Sequence, residues 1–420
     1  MSTDAMLSTA ASGTPAAPPK RRRLGTARIL LIIAGVLIGL SLVHLLTGAD
    51  DVTSQGAIQA ALQAAIPLGL AGLGGLWAER AGVVNIGLEG QMVLGTWFGA
   101  WGSLQYGPWA GLALGILGGA IGGLIHAVAT VTFGVDHIIS GVAMTILAPG
   151  IARYLSFLAW NGTPGAGPTQ SPTVEPLKRY SVPGIGSLEG LEKHHWFLIS
   201  DVAGVLRGLL TDVSVVTILA VLLIPLTWFV LWRTSFGLRV RSVGEDPRAA
   251  ESLGINVYRY KYYGVVISGA MAGLGGLYLS TVSSVIYREG QTGGRGYIGL
   301  AAMIFGNWRP GGLALGASLF GYTDALQLRR GSESVHALLI LVGALLLALA
   351  VWEFRRRNKV VAIASVVLGV LSYVIFFAVD KIPTALVQAA PYITVLVVLA
   401  LAAQRLRPPA ADGKPYRRGG

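Results

Sequence analysis

The sequence contains no cysteine and few charges for its length. Of its 420 residues, 12% are Asp, Glu, Lys or Arg, where a soluble domain carries about 25%. Without cysteine there are no disulfides, thiolate nucleophiles or Cys-ligated metals. The shortage of charge beside a 53% hydrophobic content fits a surface facing lipid, which solvates no charge. No G-x-x-x-x-G-K-S/T phosphate loop occurs, so the chain does not bind ATP by that means, and Gly72-Leu73-Gly74 lacks the rest of a dinucleotide fingerprint. Metal-site spacings are missing too. His44, His126, His137 and His336 stand apart, and only His194 and His195 are adjacent. The His/Asp/Glu clustering that a membrane-embedded enzyme needs is not found, so no catalytic residue, cofactor or metal site is assigned.

What is present is a series of apolar runs, near 28–47, 57–77, 83–104, 108–131, 137–159, 213–233, 256–281, 296–307, 311–328, 337–353, 360–379 and 385–404. A membrane helix needs about 20 such residues. The fold class expected is therefore all-α: a polytopic membrane protein with about 11–12 hydrophobic segments occupying 28–404. The 296–307 run is too short to cross and predicts a half-helix or re-entrant piece, tolerated only where protein or a cavity surrounds it. The net charge of +12 is not spread as a nucleic-acid surface requires. Its basic residues lie in short segments between runs, where they set topology. An inside N-terminus puts most of the 32 basic residues, including Arg21–Arg23, Arg239–Arg248 and Arg355–Arg357, on the cytoplasmic side. Residues 1–27 read as a disordered cytoplasmic tail, 160–212 as an external loop, 234–255 as the main cytoplasmic loop, and 405–420 as a basic, extended cytoplasmic tail. Lys20-Arg21-Arg22-Arg23 before a run of about 18 apolar residues predicts an uncleaved first helix rather than a signal peptide.

The 58 glycines have no collagen period. Gly111, Gly115, Gly119 and Gly123 form a small-xxx-small ladder, the pattern of close helix contact in membranes. Ala71-Gly-Leu-Gly-Gly-Leu76 recurs as Ala272-Gly-Leu-Gly-Gly-Leu277. Either this marks an inverted repeat, which in transporters places the pathway at the repeat junction, or it is chance in a glycine-rich chain.

In the cytoplasmic loop, Glu245-Asp246-Pro247-Arg248-Ala249-Ala250-Glu251 reads as a helix start. Asp246 caps, Pro247 takes the first helical position, and Gly254 stops the helix. Such a helix, bounded by Gly244 and Gly254, is a rigid lever able to enter a groove on a soluble partner. The plainer alternative is an interfacial turn with no partner.

Four ordered segments now carry a resemblance. Gly237 to Ile255 (Gly-Leu-Arg-Val-Arg-Ser-Val-Gly-Glu-Asp-Pro-Arg-Ala-Ala-Glu-Ser-Leu-Gly-Ile) resembles the coupling-helix loop of ABC importer permeases of the branched-chain amino acid, ribose and nucleoside group. Ala78 to Met92 and Gly296 to Gly312 resemble two further signatures of that group, and Pro408 to Tyr416 resembles the end of its nucleoside-type members. The resemblance covers roughly 57–158 and 213–353, plus the tail. It implies an inverted-repeat, type II importer-like permease in a bacterial inner membrane, paired with a second homologous permease. It also implies an ABC ATPase on the coupling helix and an external or periplasmic binding (lipo)protein. The substrates implied are nucleosides such as guanosine, with simple sugars as the alternative. A self-contained secondary transporter would show more intramembrane charge than Glu89, Arg153, Asp324 and the boundary residue Asp136. The extra hairpin near 354–384 exceeds the compact form of the family.

The candidate pathway residues are Asn85, Glu89, Phe305 and Asn307. Asn85 and Glu89 are four apart and are expected to share a helical face, either lining the pathway or bracing the Gly82–Gly90 break, with Glu89 able to pair with Arg80. Phe305 offers a stacking ring or simple packing. Asn307 and Trp308 line an inner mouth or anchor at the interface, the latter being the expectation for Trp308. Asp324 is expected to pair with Arg329 or Arg330. The coupling residues are Gly244, Glu245, Asp246, Pro247, Arg248, Ala249, Ala250, Glu251 and Gly254.

Overall fold

The computed structural model describes residues 26–49, 52–194, 196–329, 331–379, 381–402 and 406–417. The expected N-terminal tail lies outside them except for its last two residues, as does Arg330.

Each of the twelve apolar runs forms a helix. The chain begins with α1 (Thr26–Thr47), α2 (Gln55–Arg80), α3 (Leu88–Tyr106), α4 (Pro108–Ala127) with a π turn over Val128–Thr132, and α5 (His137–Trp160). Next come β1 (Arg179–Tyr180), α6 (Glu189–Lys193), α7 (Ile199–Leu210), β2 (Val213–Ser214), α8 (Val215–Arg233), α9 (Ser235–Glu245) and α10 (Pro247–Ser252). Then follow α11 (Val257–Tyr278) with a π turn over Leu279–Ser283, α12 (Arg295–Phe305), α13 (Pro310–Leu328), α14 (Gly331–Arg355), α15 (Lys359–Ala378) and α16 (Thr384–Ala402).

Among the described residues, seven helices are long and apolar enough to cross a membrane: α2, α4, α5, α8, α11, α14 and α15. Helix α12 has 11 residues. At about 1.5 Å per residue it spans roughly half of a hydrocarbon core, as its sequence predicts.

Two expectations are corrected. The 83–104 run does not begin as helix: residues 81–87 form an irregular segment, and α3 starts at Leu88. Asn85 and Glu89 therefore do not share a helical face. Gly82, at φ +78°, turns the chain out of α2. The 234–255 loop holds two helices, because α9 precedes the short one and Gly244 lies inside α9 instead of bounding the short helix.

The 160–212 loop is folded. Strands β1 and β2 pair antiparallel. Asp201 on α7 accepts hydrogen bonds from Ser41 and Thr53 and contacts His44, fastening α7 to α1 and to the start of α2. Burial works against the charged Asp201, but these bonds outweigh it and hold the carboxyl below its ordinary range.

The core is made of close backbone contacts. A Cβ at Gly74 would lie 2.6 Å from the Ser268 carbonyl oxygen, and one at Gly275 would lie 3.1 Å from that of Pro67. In the two aligned Ala-Gly-Leu-Gly-Gly-Leu copies, Ser268 stands to Pro67 as Gly275 stands to Gly74. The two contacts therefore exchange under one operation, which packs α2 and α11 antiparallel. The relation extends to the next helices. Gly95 and Gly99 of α3 meet Gly273 and Leu277 of α11, while Gly299 and Met303 of α12 meet Gly72 and Gly75 of α2. Gly119 and Gly123 of α4 face Gly273 and Gly269, while Ala317 and Gly321 of α13 face Gly69 and Ala65. Helices α2–α4 and α11–α13 are thus two inverted copies, and the sequence echo is structural.

Because lipid supplies no hydrophobic drive between helices, this approach distance itself holds the pair together. At Gly119 a side chain would meet Gly269 O at 2.3 Å and Gly273 Cα at 2.4 Å, so α4 and α11 must separate. Gly119→Ala is expected to cost about 1–3 kcal/mol, read as a lowered unfolding temperature of the purified protein. Gly150→Ala, which meets nothing within 4 Å, should leave that temperature unchanged.

Candidate functional site

Non-helical backbone inside an apolar fold must have its polar groups bonded by the protein. The 81–87 segment is largely buried, and side chains from three other helices satisfy it. Lys261 Nζ on α11 donates to Gly82 O at 3.0 Å. His126 on α4 donates through Nε2 to Val84 O at 3.1 Å, with its Nδ1 2.8 Å from Ser140 Oγ. The Val84 amide donates to His137 Nδ1 on α5 at 3.3 Å, so that ring nitrogen is unprotonated. Asn85, fully buried, donates from Nδ2 to Gln91 Oε1 at 2.9 Å and to Ser268 Oγ at 2.8 Å.

Glu89 reaches across the repeat axis. Its two carboxylate oxygens accept the Gly294 amide at 2.8 Å and the Gly296 amide at 2.7 Å, capping the N-terminus of the half-helix α12. An anion there satisfies orphan amides and complements the helix dipole. The starts of α3 and α12 therefore meet, the arrangement of discontinuous helices that frames transporter sites. Glu89 thus engages α12, whereas Arg80 is committed to Trp308 and Glu245.

Beside the α12 start, Arg295 lies 3.5 Å from Asp324 of α13, whose other oxygen accepts from Gln327 Nε2 at 2.8 Å. Asp324 thus pairs with Arg295 and Gln327 within the bundle, while Arg330 lies outside the described residues. Arg153 lies 3.6 Å from Glu289. The sequence reading left out Arg295 and Glu289, since both partners lie far off in the chain.

The other predicted residues gather at the opposite end of α12. Phe305 is partly buried against α13, where a Cβ at Gly316 would lie 2.9 Å from its ring. Asn307 and Trp308 turn the chain at φ +54° and +53°. Trp308 is 5% exposed, so it is no interfacial anchor. Its indole donates to Glu79, and its carbonyl accepts from Arg80 Nη2 at 2.8 Å.

Helix α10 forms as its residues dictate. Asp246 accepts the Ala249 amide at 3.0 Å, Pro247 occupies the first position, and Gly254 ends the helix at φ +79°. Ala250 is 2% exposed and packs with Val243 and Val257. Arg248 and Ala249 face outward, as does Leu253 at 80% exposure, a residue the sequence reading passed over. Gly244 lets α9 touch the end of α2, where a Cβ would lie 2.3 Å from Arg80 O.

The C-terminal segment is not free. Ala411 N donates to Gly244 O at 3.0 Å, Ala410 N to Glu245 Oε2 at 3.2 Å, and Arg407 N to Asn307 Oδ1 at 2.8 Å. Tyr416 donates to Glu251 and sets its ring 5.5 Å from that of Tyr258. Asp412 turns inward against Glu79, near Lys261 and Arg80, and burial pushes its carboxyl up to about 6.

Glu89→Ala is expected to leave the Gly294 and Gly296 amides without acceptors. The cost is about 1–3 kcal/mol, and more insofar as a charged group is lost. Hydrogen exchange at the α12 start should accelerate. Glu89→Gln, which retains one good acceptor, should show a smaller change.

The branched-chain amino acid transport system / permease component family matches residues 57–350. The guanosine ABC transporter permease protein NupQ of Bacillus subtilis is 40% identical over 281 residues, 64% of this chain and 81% of that protein. The nucleoside ABC transporter permease protein NupC of Lactococcus lactis is 32% identical over 359 residues, 83% of this chain and 93% of that one. The putative glucose ABC transporter permease protein TsgC13 of Haloferax volcanii is 36% identical, covering 67% and 79%. In each of these three organisms a second ABC permease also matches, at 26%, 24% and 27% identity. No solved structure matches the chain. With the family spanning α2 to α14, the chain belongs to the branched-chain amino acid transport system / permease component family and is the transmembrane permease subunit of an ABC transporter.

Proposed function

We propose that this permease forms half of a channel that imports nucleosides, driven by a separate ATPase. The observation that carries the substrate class is the similarity to the guanosine and nucleoside permeases, one of which it matches over 93% of that protein's length. The glucose permease at 36% identity favours simple sugars as the second reading.

The other half of the channel is a second, diverged permease, a reading supported by the paired matches in three organisms. An external binding protein delivers substrate. The N-terminus and α10 lie on the cytoplasmic side, where the basic residues of 233–261 and 355–359 congregate. Helix α10, with Leu253 exposed at its end, is the knob that enters the ATPase. Its motion passes through α9 and Gly244 to the end of α2 and the 81–87 break. Asn85, Glu89, Phe305 and Asn307 act along this route by holding the half-helices, and Glu89 does so most directly.

Uptake of labelled guanosine by cells expressing the whole transporter tests the substrate class. Unlabelled nucleosides should compete and glucose should not; no guanosine uptake by cells that take up labelled glucose through the same transporter would transfer the assignment to sugars. Coupling is tested separately with Ala250→Glu. A carboxylate between Val243 and Val257 must unseat α10, so this variant should still insert yet lose substrate-stimulated ATP hydrolysis. Normal stimulation would remove α10 from the coupling role.

A further inference from the structure

The C-terminal segment and α10 enclose a cleft of about 660 Å³, open to solvent, whose walls include Glu245, Pro247, Arg248, Lys414 and Tyr416. The acidic groups around it are already engaged. Glu245 accepts the Ala410 amide and lies 3.7 Å from Arg80, Asp246 caps α10, and Glu251 accepts from Tyr416. The basic groups are not. Arg248, Lys414 and Arg417 are exposed, and among the described residues none of them has an ion pair. The cleft therefore presents three uncommitted cations, one of them, Arg248, on α10 itself. Its shape depends on the tail, which four hydrogen bonds and one ring contact fasten in place.

We propose that segment 406–417 and α10 together make the ATPase-docking surface, with Arg248, Lys414 and Arg417 receiving an acidic stretch of that subunit. The tail is then a wall of the socket. The inference rests on the reading of α10 as the coupling helix, because Pro247 and Arg248 of that helix form part of the cleft's wall. Opposite charge across such a rim speeds encounter and fixes register, and it weakens with salt.

The test uses the full permease pair in nanodiscs of neutral lipid, with affinity for the purified ATPase measured as ionic strength varies. Lys414→Glu with Arg417→Glu should weaken binding about tenfold at low salt and flatten its salt dependence. Lys414→Gln with Arg417→Gln should fall between that variant and the unaltered protein. Equal affinity in all three would overturn the proposal while leaving α10 as the knob, provided the unaltered pair binds. Failure of the unaltered pair to bind would instead refute the coupling role of α10. If the reversal acts only in discs containing phosphatidylglycerol, the cations hold lipid headgroups and the socket does not exist.

Discussion

The peptide groups of residues 82–85 control the rest of the structure. They lie in the interior without a helical ladder, and an unbonded peptide group there costs several kcal/mol. The chain meets that demand with Lys261, His126 and His137, drawn from α11, α4 and α5. Three helices are thereby fixed to one irregular segment. None of them can shift alone without stripping a bond from it. Side chains that in another context would suggest catalysis or proton transfer have a structural role here: Lys261 and His126 donate to main-chain carbonyls, His126 also meets a neighbouring hydroxyl, and His137 accepts a main-chain amide.

The repeat imposes a second constraint. Helices α2 and α11 approach so closely that main-chain carbonyls stand where side chains would be, and their neighbours in each copy do the same. The two copies then diverge where they connect to the next helix. A single residue, Gly107 at φ +90°, joins α3 to α4. The equivalent link from α12 to α13 uses Asn307 and Trp308, both left-handed without being glycine. Such a conformation costs about 1–2 kcal/mol per residue. The Arg80 bonds to the Trp308 carbonyl and the indole bond to Glu79 offset it. The second copy has therefore exchanged a simple turn for one bonded to the first copy.

Local physics was readable in the sequence. Apolar run length located twelve of the sixteen described helices, and the shortness of 296–307 identified the half-helix. Asp246, Pro247 and Gly254 delimited α10 through cap chemistry that acts over three residues. What failed to read through was set at a distance. Asn85 and Glu89 have helical spacing, but Gly82 breaks the helix first, and their partners lie on α11 and at the start of α12. The predicted anchoring role of Trp308 assumed an interface that Glu79 and Arg80 close off. Helix α9 is short and carries three charges in eleven residues, so it has no apolar run to reveal it, and only its contact with α2 makes Gly244 intelligible. The Ala-Gly-Leu-Gly-Gly-Leu echo was ambiguous as a string, because its meaning lies in which carbonyl each glycine faces.

These contacts determine how a force on α10 spreads. Helix α9 continues α10 backward and rests on Arg80 through Gly244, at the end of the first copy. Arg80 in turn holds the Trp308 carbonyl, which belongs to the second copy. The tail runs parallel to this path. Ala411 joins Gly244, and Arg407 joins Asn307. A displacement of α10 thus reaches both copies through short, stiff links, one through side chains and one through the tail. Because α2 and α11 cannot slide past each other without collision of main chain against main chain, a displacement that reaches both copies is taken up at the non-helical breaks within them, 81–87 and 306–309. Glu89, bonded across the axis to the start of α12, ties the two responses together.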